Sequence, residues 1–189
     1  MLTITIKKEE KMNYTIETLN ENNIEEYVRT NAFAWKETYK GIVNDEFLDL
    51  INTEEKIQKS VERQKAQLQN EAKKCFLLKV NNKPVGNLSI GISLDKNFPN
   101  IGEIKAIYLL EEVKHQGYGK ILFNKAVQEL QKMNFKTMII SCLEENTNAN
   151  EFYKHLGGNL VGTRPFTLPN QTLTENIYYF NIEKNPIKQ

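Results

Sequence analysis

Gly102-Glu-Ile-Lys-Ala-Ile-Tyr-Leu-Leu-Glu-Glu-Val-Lys-His-Gln-Gly-Tyr-Gly-Lys-Ile-Leu-Phe123 is the stretch on which the fold turns. Its first part, residues 101–110, favours β structure and predicts a strand. A polar loop carrying Gly117 and Gly119 follows, and over 117–134 Ile121, Leu122, Ala126, Leu130 and Met133 recur at the helical period. Glycines at the mouth of a helix let the backbone approach a ligand closely. The free N–H groups of the first turn, together with the helix dipole, then attract a phosphate or pyrophosphate. Lys114 and Lys120 flank this loop with positive charge. A tight turn that needs glycine for its own sake is the other reading of the same residues. A Rossmann fingerprint is excluded because Gly117-Tyr118-Gly119 continues to Leu122 in place of a third glycine. Gly119-Lys120-Ile121 fails as a Walker A loop in both its glycine spacing and its missing Ser/Thr.

Working outward toward the N-terminus, residues 75–80 and 85–94 read as two strands joined by the turn signal Asn81-Asn82-Lys83-Pro84. Residues 14–19 form another strand. Between them lie helical patterns at 24–39, ended by Gly41, at 45–51, and at 54–70 behind Thr53 as N-cap. On the 24–39 helix Ile24, Tyr27, Val28, Asn31, Phe33, Ala34, Trp35 and Thr38 make the expected inward face. Toward the C-terminus, 137–143 is a buried strand, 148–156 a short helix, and 159–166 and 177–182 two further strands. Seven strands and their helices in this order make an α+β sheet domain and exclude an alternating βαβ array.

The 189 residues suit one domain, 14–183, with 1–13 an N-terminal extension and 184–189 a tail. Lys+Arg 25 against Asp+Glu 24 leaves a formal charge of +1, which offers no field for nucleic acid or an anionic membrane. Cys75 and Cys142 sit far apart in apolar runs, so they are expected as free buried thiols. No run approaches the roughly 18 apolar residues of a membrane span, and MLTITIKKEEKM lacks the apolar core of a signal peptide. These features predict a cytoplasmic protein. His115 and His155, the only histidines, lie on different motifs and are expected at the surface, so no metal is implied.

A second motif, Asn146-Thr-Asn-Ala-Asn-Glu-Phe-Tyr-Lys-His-Leu-Gly-Gly158, follows the 137–143 strand. With both motifs in register, the chain resembles the GNAT N-acetyltransferase superfamily over about residues 14–182. That family's pyrophosphate loop, Arg/Gln-x-x-Gly-x-Gly/Ala, is matched by Lys114-His115-Gln116-Gly117-Tyr118-Gly119. Its Ile-Tyr-Val strand end is matched by Ile107-Tyr108-Leu109. Its later signature, Asn-x-x-Ala-x-x-Phe-Tyr-x-x-x-Gly-Phe, is matched by Asn146, Ala149, Phe152, Tyr153 and Gly157. Three departures stand out: Lys114 replaces Arg or Gln, Glu111 stands where proline is common, and Gly158 replaces Phe. Lysine keeps the cation but loses the bidentate fork.

The resemblance implies a mixed, mostly antiparallel sheet of about seven strands with helices on both faces, and acetyl-CoA as co-substrate. It assigns Ile107, Tyr108 and Leu109 to the pantetheine and thioester, and His115, Gln116, Gly117, Tyr118, Gly119 and Lys120 to the pyrophosphate. Tyr153 becomes the proton donor to the departing thiolate, or a ring that only packs beside the coenzyme. Asn146 becomes a pantetheine contact or a helix-start residue. Glu103 becomes the base, acting through water, or a strand carboxylate paired with Lys105. Strict alternation would set Glu103, Lys105, Ile107 and Leu109 on one face. Trp35 and Tyr39, spaced i, i+4, are the expected acceptor contacts, with Glu37, Asp45, Glu46 and Asp49 as acids for a cationic amine. The implied acceptor is a primary amine of a small metabolite of polyamine, amino-acid or amino-sugar type. A protein N-terminus or lysine is the alternative acceptor, and a non-catalytic acyl-CoA-binding module or an unrelated nucleotide binder the alternative class. Dimers are frequent in the family, with the strands around Phe166 and Tyr178 as the expected contacts.

Overall fold

A computed structural model describes residues 13–183; the expected N-terminal extension, apart from Asn13, and the C-terminal tail lie outside the described residues. In chain order the elements are β1 (Tyr14–Thr18), α1 (Ile24–Tyr39), α2 (Asp45–Ile51), α3 (Glu54–Lys65), β2 (Lys73–Val80), β3 (Lys83–Ile92), β4 (Gly102–Leu109), α4 (Tyr118–Lys132), β5 (Thr137–Leu143), α5 (Thr147–His155), β6 (Asn159–Leu168) and β7 (Gln171–Asn181). The strands form one seven-stranded sheet, ordered β1-β2-β3-β4-β5-β7-β6. Every neighbouring pair is antiparallel except β4–β5.

Side-chain alternation divides the core between the two faces of this sheet. Phe76 and Leu78 of β2 pack with Leu122, Ala126 and Leu130 of α4 on one side, whereas Cys75 and Leu77 pack with Tyr27 and Val28 of α1 and Ile57 and Val61 of α3 on the other. Both thiols are free and buried. Asn81 and Asn82 take φ values of 49° and 63°, the left-handed pair that a two-residue type I′ hairpin needs, so Lys83 and Pro84 already belong to β3.

Three expectations shift. β7 starts at Gln171 and not at 177, because Thr172 to Asn176 pair with β6 along a hairpin whose polar residues hide the strand period. Phe33 is 53% exposed and leaves the α1 core face to its neighbours. Tyr178 is fully buried, and Phe166, half-buried on the edge strand β6, packs toward Trp35. Gly158 has a packing reason: a Cβ there would stand 2.6 Å from Cζ of Phe180, whose ring fills the space beside it.

The decisive irregularity is in β4. Ser89 pairs with Ala106 and Ile90 with Ile104, so Lys105 is an extra residue, a β-bulge. It breaks the alternation expected for this strand. Ile104, Ile107 and Leu109 all pack on the α4 side, whereas Glu103 and Tyr108 line a cavity on the α1 side.

Helix α4 is tied down by one buried carboxylate. Glu129 accepts hydrogen bonds from Lys74 of β2 and from Lys125 and Lys132 of its own helix, at 2.8–3.3 Å. Burial opposes its charge, but the three ammonium groups outweigh this and hold the carboxyl at about 2. A carboxyl depressed in the folded state contributes stability above its unfolded pKa and loses it as pH falls through the folded one. Glu129→Gln should therefore cost about 1–3 kcal/mol near neutrality. In urea titrations the gap to wild type should stay constant down to about pH 5 and narrow as the pH falls toward 2.

Candidate active site

Parallel pairing of β4 with β5 is confined to three register pairs, Gly102–Met138, Glu103–Ile139 and Ile104–Ile140. Beyond Ile104 the strands diverge, so the β5-facing edge of residues 105–109 has no ladder partner. β3 continues to pair with β4 as far as Leu109. Two cavities meet at this gap. A groove of about 540 Å³ on the α4–α5 side is lined by Ile107, Leu109, Gly117, Gly119, Asn146 and Tyr153, among others. A cavity of about 240 Å³ on the α1 side is lined by Trp35, Tyr39, Tyr108, Glu103, Glu175 and Arg164, among others. Ile104, Lys105, Ala106, Tyr108, Tyr39 and Ser141 border both.

The groove floor is the start of α4. Gly117 has φ +88°, a conformation that requires glycine at this N-cap position, and no side chain caps the helix. At Gly119 a Cβ would meet the Phe152 ring only at an ordinary contact distance, 3.4 Å, so packing does not require glycine there. The first-turn N–H groups are free of side-chain caps and no acid occupies that turn. His115, at φ +60°, turns the chain into this loop. Lys114 lines the groove while its ammonium pairs with Glu111 at 2.7 Å, and Lys120 lines it too. His115 and His155 are both surface residues, but the fold brings both to the rim of the groove, which their separate motifs did not suggest. Among the described residues no three His, Cys, Asp or Glu side chains cluster as a metal site.

Asn146 caps α5, accepting from Ala149 N at 3.2 Å. Tyr153, 5% exposed, lines the groove and stacks obliquely on Tyr178. Burial first, then the nearby Cys142 and Tyr108, push its phenol well above the ordinary range, so it holds its proton at neutral pH. Cys142 also lines the groove; burial and then Glu175 push its thiol up to about 12, so it is no nucleophile at neutrality.

On the α1 side, Trp35 and Tyr39 stack edge to face with centroids 4.6 Å apart, as their spacing predicted. Trp35 Nε1 donates to the Tyr108 hydroxyl at 2.8 Å, and the Tyr39 hydroxyl lies 3.1 Å from it. Burial raises the pKa of both phenols. Tyr108 therefore presents its side chain to the α1 cavity, while its backbone lies at the gap. Glu103 reaches the same cavity because of the bulge, with Lys105 Nζ at 2.8 Å and Arg164 Nη2 at 3.6 Å. The acids expected to meet an amine do not gather here: Glu37 accepts from Glu111 N, Asp49 pairs with Lys36, and Asp45 borders a separate pocket beside Gln171. The carboxylates that line the cavity are Glu103 and Glu175, and Glu175 was not singled out because it sits in the polar stretch that hid the start of β7.

Asn150, inside the second motif, was also missed. Its amide nitrogen reaches the carbonyls of Leu143, Glu144 and Asn146 at 2.8–3.2 Å, and its oxygen accepts from Asn176 and the Tyr178 hydroxyl. It ties α5 to β5 and β7 one turn before Tyr153. A buried asparagine at i+4 from the cap was its only signal.

The sequence profile of the Acetyltransferase (GNAT) family matches residues 37–158, more than half the chain. An uncharacterized N-acetyltransferase of Bacillus subtilis, YuaI, is 28% identical over 125 residues, covering 66% of this chain and 68% of that protein. Among solved structures, the PaiA N-acetyltransferase of Thermoplasma acidophilum in complex with coenzyme A superposes with a TM-score of 0.70 at 19% identity, over 90% of this chain and 99% of that one. The spermidine N-acetyltransferase of Vibrio cholerae in complex with CoA and spermine gives 0.69 at 15%, over 91% and 97%.

Replacing Asn150 by Ala removes a donor from the carbonyls of Leu143, Glu144 and Asn146, of which the first and last keep a backbone N–H, and takes the acceptor from the Tyr178 hydroxyl and the Asn176 amide. It should cost about 2–4 kcal/mol in chemical denaturation, with a loss of coenzyme affinity as α5 loosens.

Proposed function

The chain belongs to the Acetyltransferase (GNAT) family, and from that membership we propose that it transfers acetyl from acetyl-CoA directly to a primary amine of a small metabolite. The observation that carries this reading is the gap between β4 and β5, which joins a groove floored by an uncapped helix start to a separate aromatic and acidic cavity. A coenzyme needs the first and an amine the second. The α1-side cavity, about 240 Å³, has room for a small amine, of the polyamine, amino-acid or amino-sugar kind. The reading puts the reaction in the cytoplasm.

Acetyl-CoA supplies an electrophilic thioester carbonyl. In the proposed arrangement the pyrophosphate lies on the backbone of His115 to Lys120, and the N–H groups of that turn and the helix dipole offset its charge. The unpaired edge of Ile107, Tyr108 and Leu109 binds the pantetheine arm and gives a backbone N–H to the carbonyl oxygen as charge develops there. The amine must be neutral to attack. Glu103, in the α1-side cavity, takes its proton through water. As the N–C bond forms and the C–S bond breaks, Tyr153 protonates the departing sulfur; its buried phenol keeps that proton available. Direct transfer agrees with the neutral Cys142 thiol, the nucleophile that a covalent route through the groove would need.

Coenzyme-thiol release across an amine panel tests the reading, and no turnover despite tight acetyl-CoA binding would favour a binding module. Tyr153→Phe should lower kcat about 10- to 100-fold while leaving acetyl-CoA binding within about twofold, and Glu103→Gln should lower kcat/KM about 10- to 100-fold.

A further inference from the structure

Arg164 of β6 is the hub of the cavity on the α1 side. Its Nε donates to Glu175 Oε2 at 2.8 Å, its Nη1 to Asp95 Oδ2 at 3.1 Å, and its Nη2 stands 3.6 Å from Glu103 Oε1. Lys105, the other cation of the cavity, is held by Glu103 Oε2 at 2.8 Å. Both cations are thus committed, and three carboxylates face them. Asp95 uses its second oxygen on Asn97 N. Glu175 has a second oxygen, Oε1, with no hydrogen-bond partner among the described residues, and Arg164 fixes the carboxylate that carries it. Register places Glu175 opposite Leu143, two residues along β5 from Ser141. The Ser141 hydroxyl oxygen is buried without a partner at the border of groove and cavity. A buried polar atom left unpaired is costly, and a ligand N–H would relieve it.

From this we infer that Glu175 Oε1 anchors the acceptor, and that the acceptor is a cationic amine bearing no carboxylate. The inference rests on the acetyl-transfer reading and narrows its acceptor class. A protonated amine donates to Oε1, the oxygen of a cavity carboxylate that neither Arg164 nor Lys105 holds. Trp35, Tyr39 and Phe166 supply aromatic walls that favour an aliphatic cation. A free amino acid brings a carboxylate that finds no uncommitted cation among the cavity's lining residues and meets the like charges of Glu103 and Glu175. Glu103 and Glu175 divide the work: one takes the proton, the other holds the substrate.

The test compares cadaverine with lysine, which share five carbons and two amino groups and differ by one carboxylate. Steady-state kinetics on the full chain should give cadaverine a kcat/KM at least about tenfold above lysine. Glu175→Gln should raise the KM for cadaverine at least about tenfold with the acetyl-CoA KM within about twofold. Equal use of lysine, or an unchanged cadaverine KM, overturns the inference. Glu175→Asp keeps the charge but shortens the reach, and covers the case in which the Gln variant does not fold: an intermediate rise is expected, and no rise overturns the proposal. If no amine is turned over, the transferase reading fails separately, and calorimetry of cadaverine with the CoA-bound protein decides the anchor. Binding weakened by Glu175→Gln supports it, whereas equal binding, or none to either protein, sinks it.

Discussion

Everything chemical in this molecule depends on two adjacent strands parting early. β4 and β5 share three register pairs and then separate, and a β-bulge at Lys105 coincides with the parting. Backbone polar groups on a central strand are normally satisfied on both edges, so an unpaired edge in the middle of a sheet is tolerated only where something else reaches it. The bulge acts on side chains as the parting acts on the backbone. By inserting one residue it turns Glu103 to one face while Ile104, Ile107 and Leu109 keep the other, so a single strand serves a groove and a cavity at once.

The two sides of the gap are chemically unlike because different elements cover them. On the groove side the start of α4 presents uncapped N–H groups, and α5, locked by the five hydrogen bonds of Asn150, delivers a protonated phenol. On the cavity side α1 lays Trp35 and Tyr39 over Tyr108, and the β6–β7 hairpin adds Arg164 and Glu175. The near-zero net charge of the chain conceals this polarity. Cationic side chains and helix amides gather at one end, and two carboxylates paired with Arg164 and Lys105 at the other.

Much of this was legible beforehand, and unevenly. The Gly117-Tyr118-Gly119 loop announced its helix because positive φ and a polar turn leave a compositional mark, and Asn146 marks the start of α5 because its side chain accepts from a first-turn N–H. Trp35 and Tyr39 were readable as neighbours from a spacing of four. Glu103 lies near the gap but not on the face that strict alternation gives it, since alternation has no means of registering a bulge. The acids of 37–49 looked like an amine site because they are close in sequence, yet the helices direct them elsewhere. Tyr178 is the buried partner of Asn150, a pairing that no local pattern marks.

By itself the sequence determined the elements, the fold class and the coenzyme-side motifs, since local periodicity, caps and turn residues act within a few residues of where they are written. Only the tertiary structure decided which carboxylates line the cavity on the α1 side. Asp95, Glu103, Arg164 and Glu175 come from four segments, the loop after β3, β4, β6 and β7, and what joins them is sheet register, a bulge and the return of β7 beside β5. Those are long-range pairings, fixed by how whole faces pack, and no local pattern encodes them.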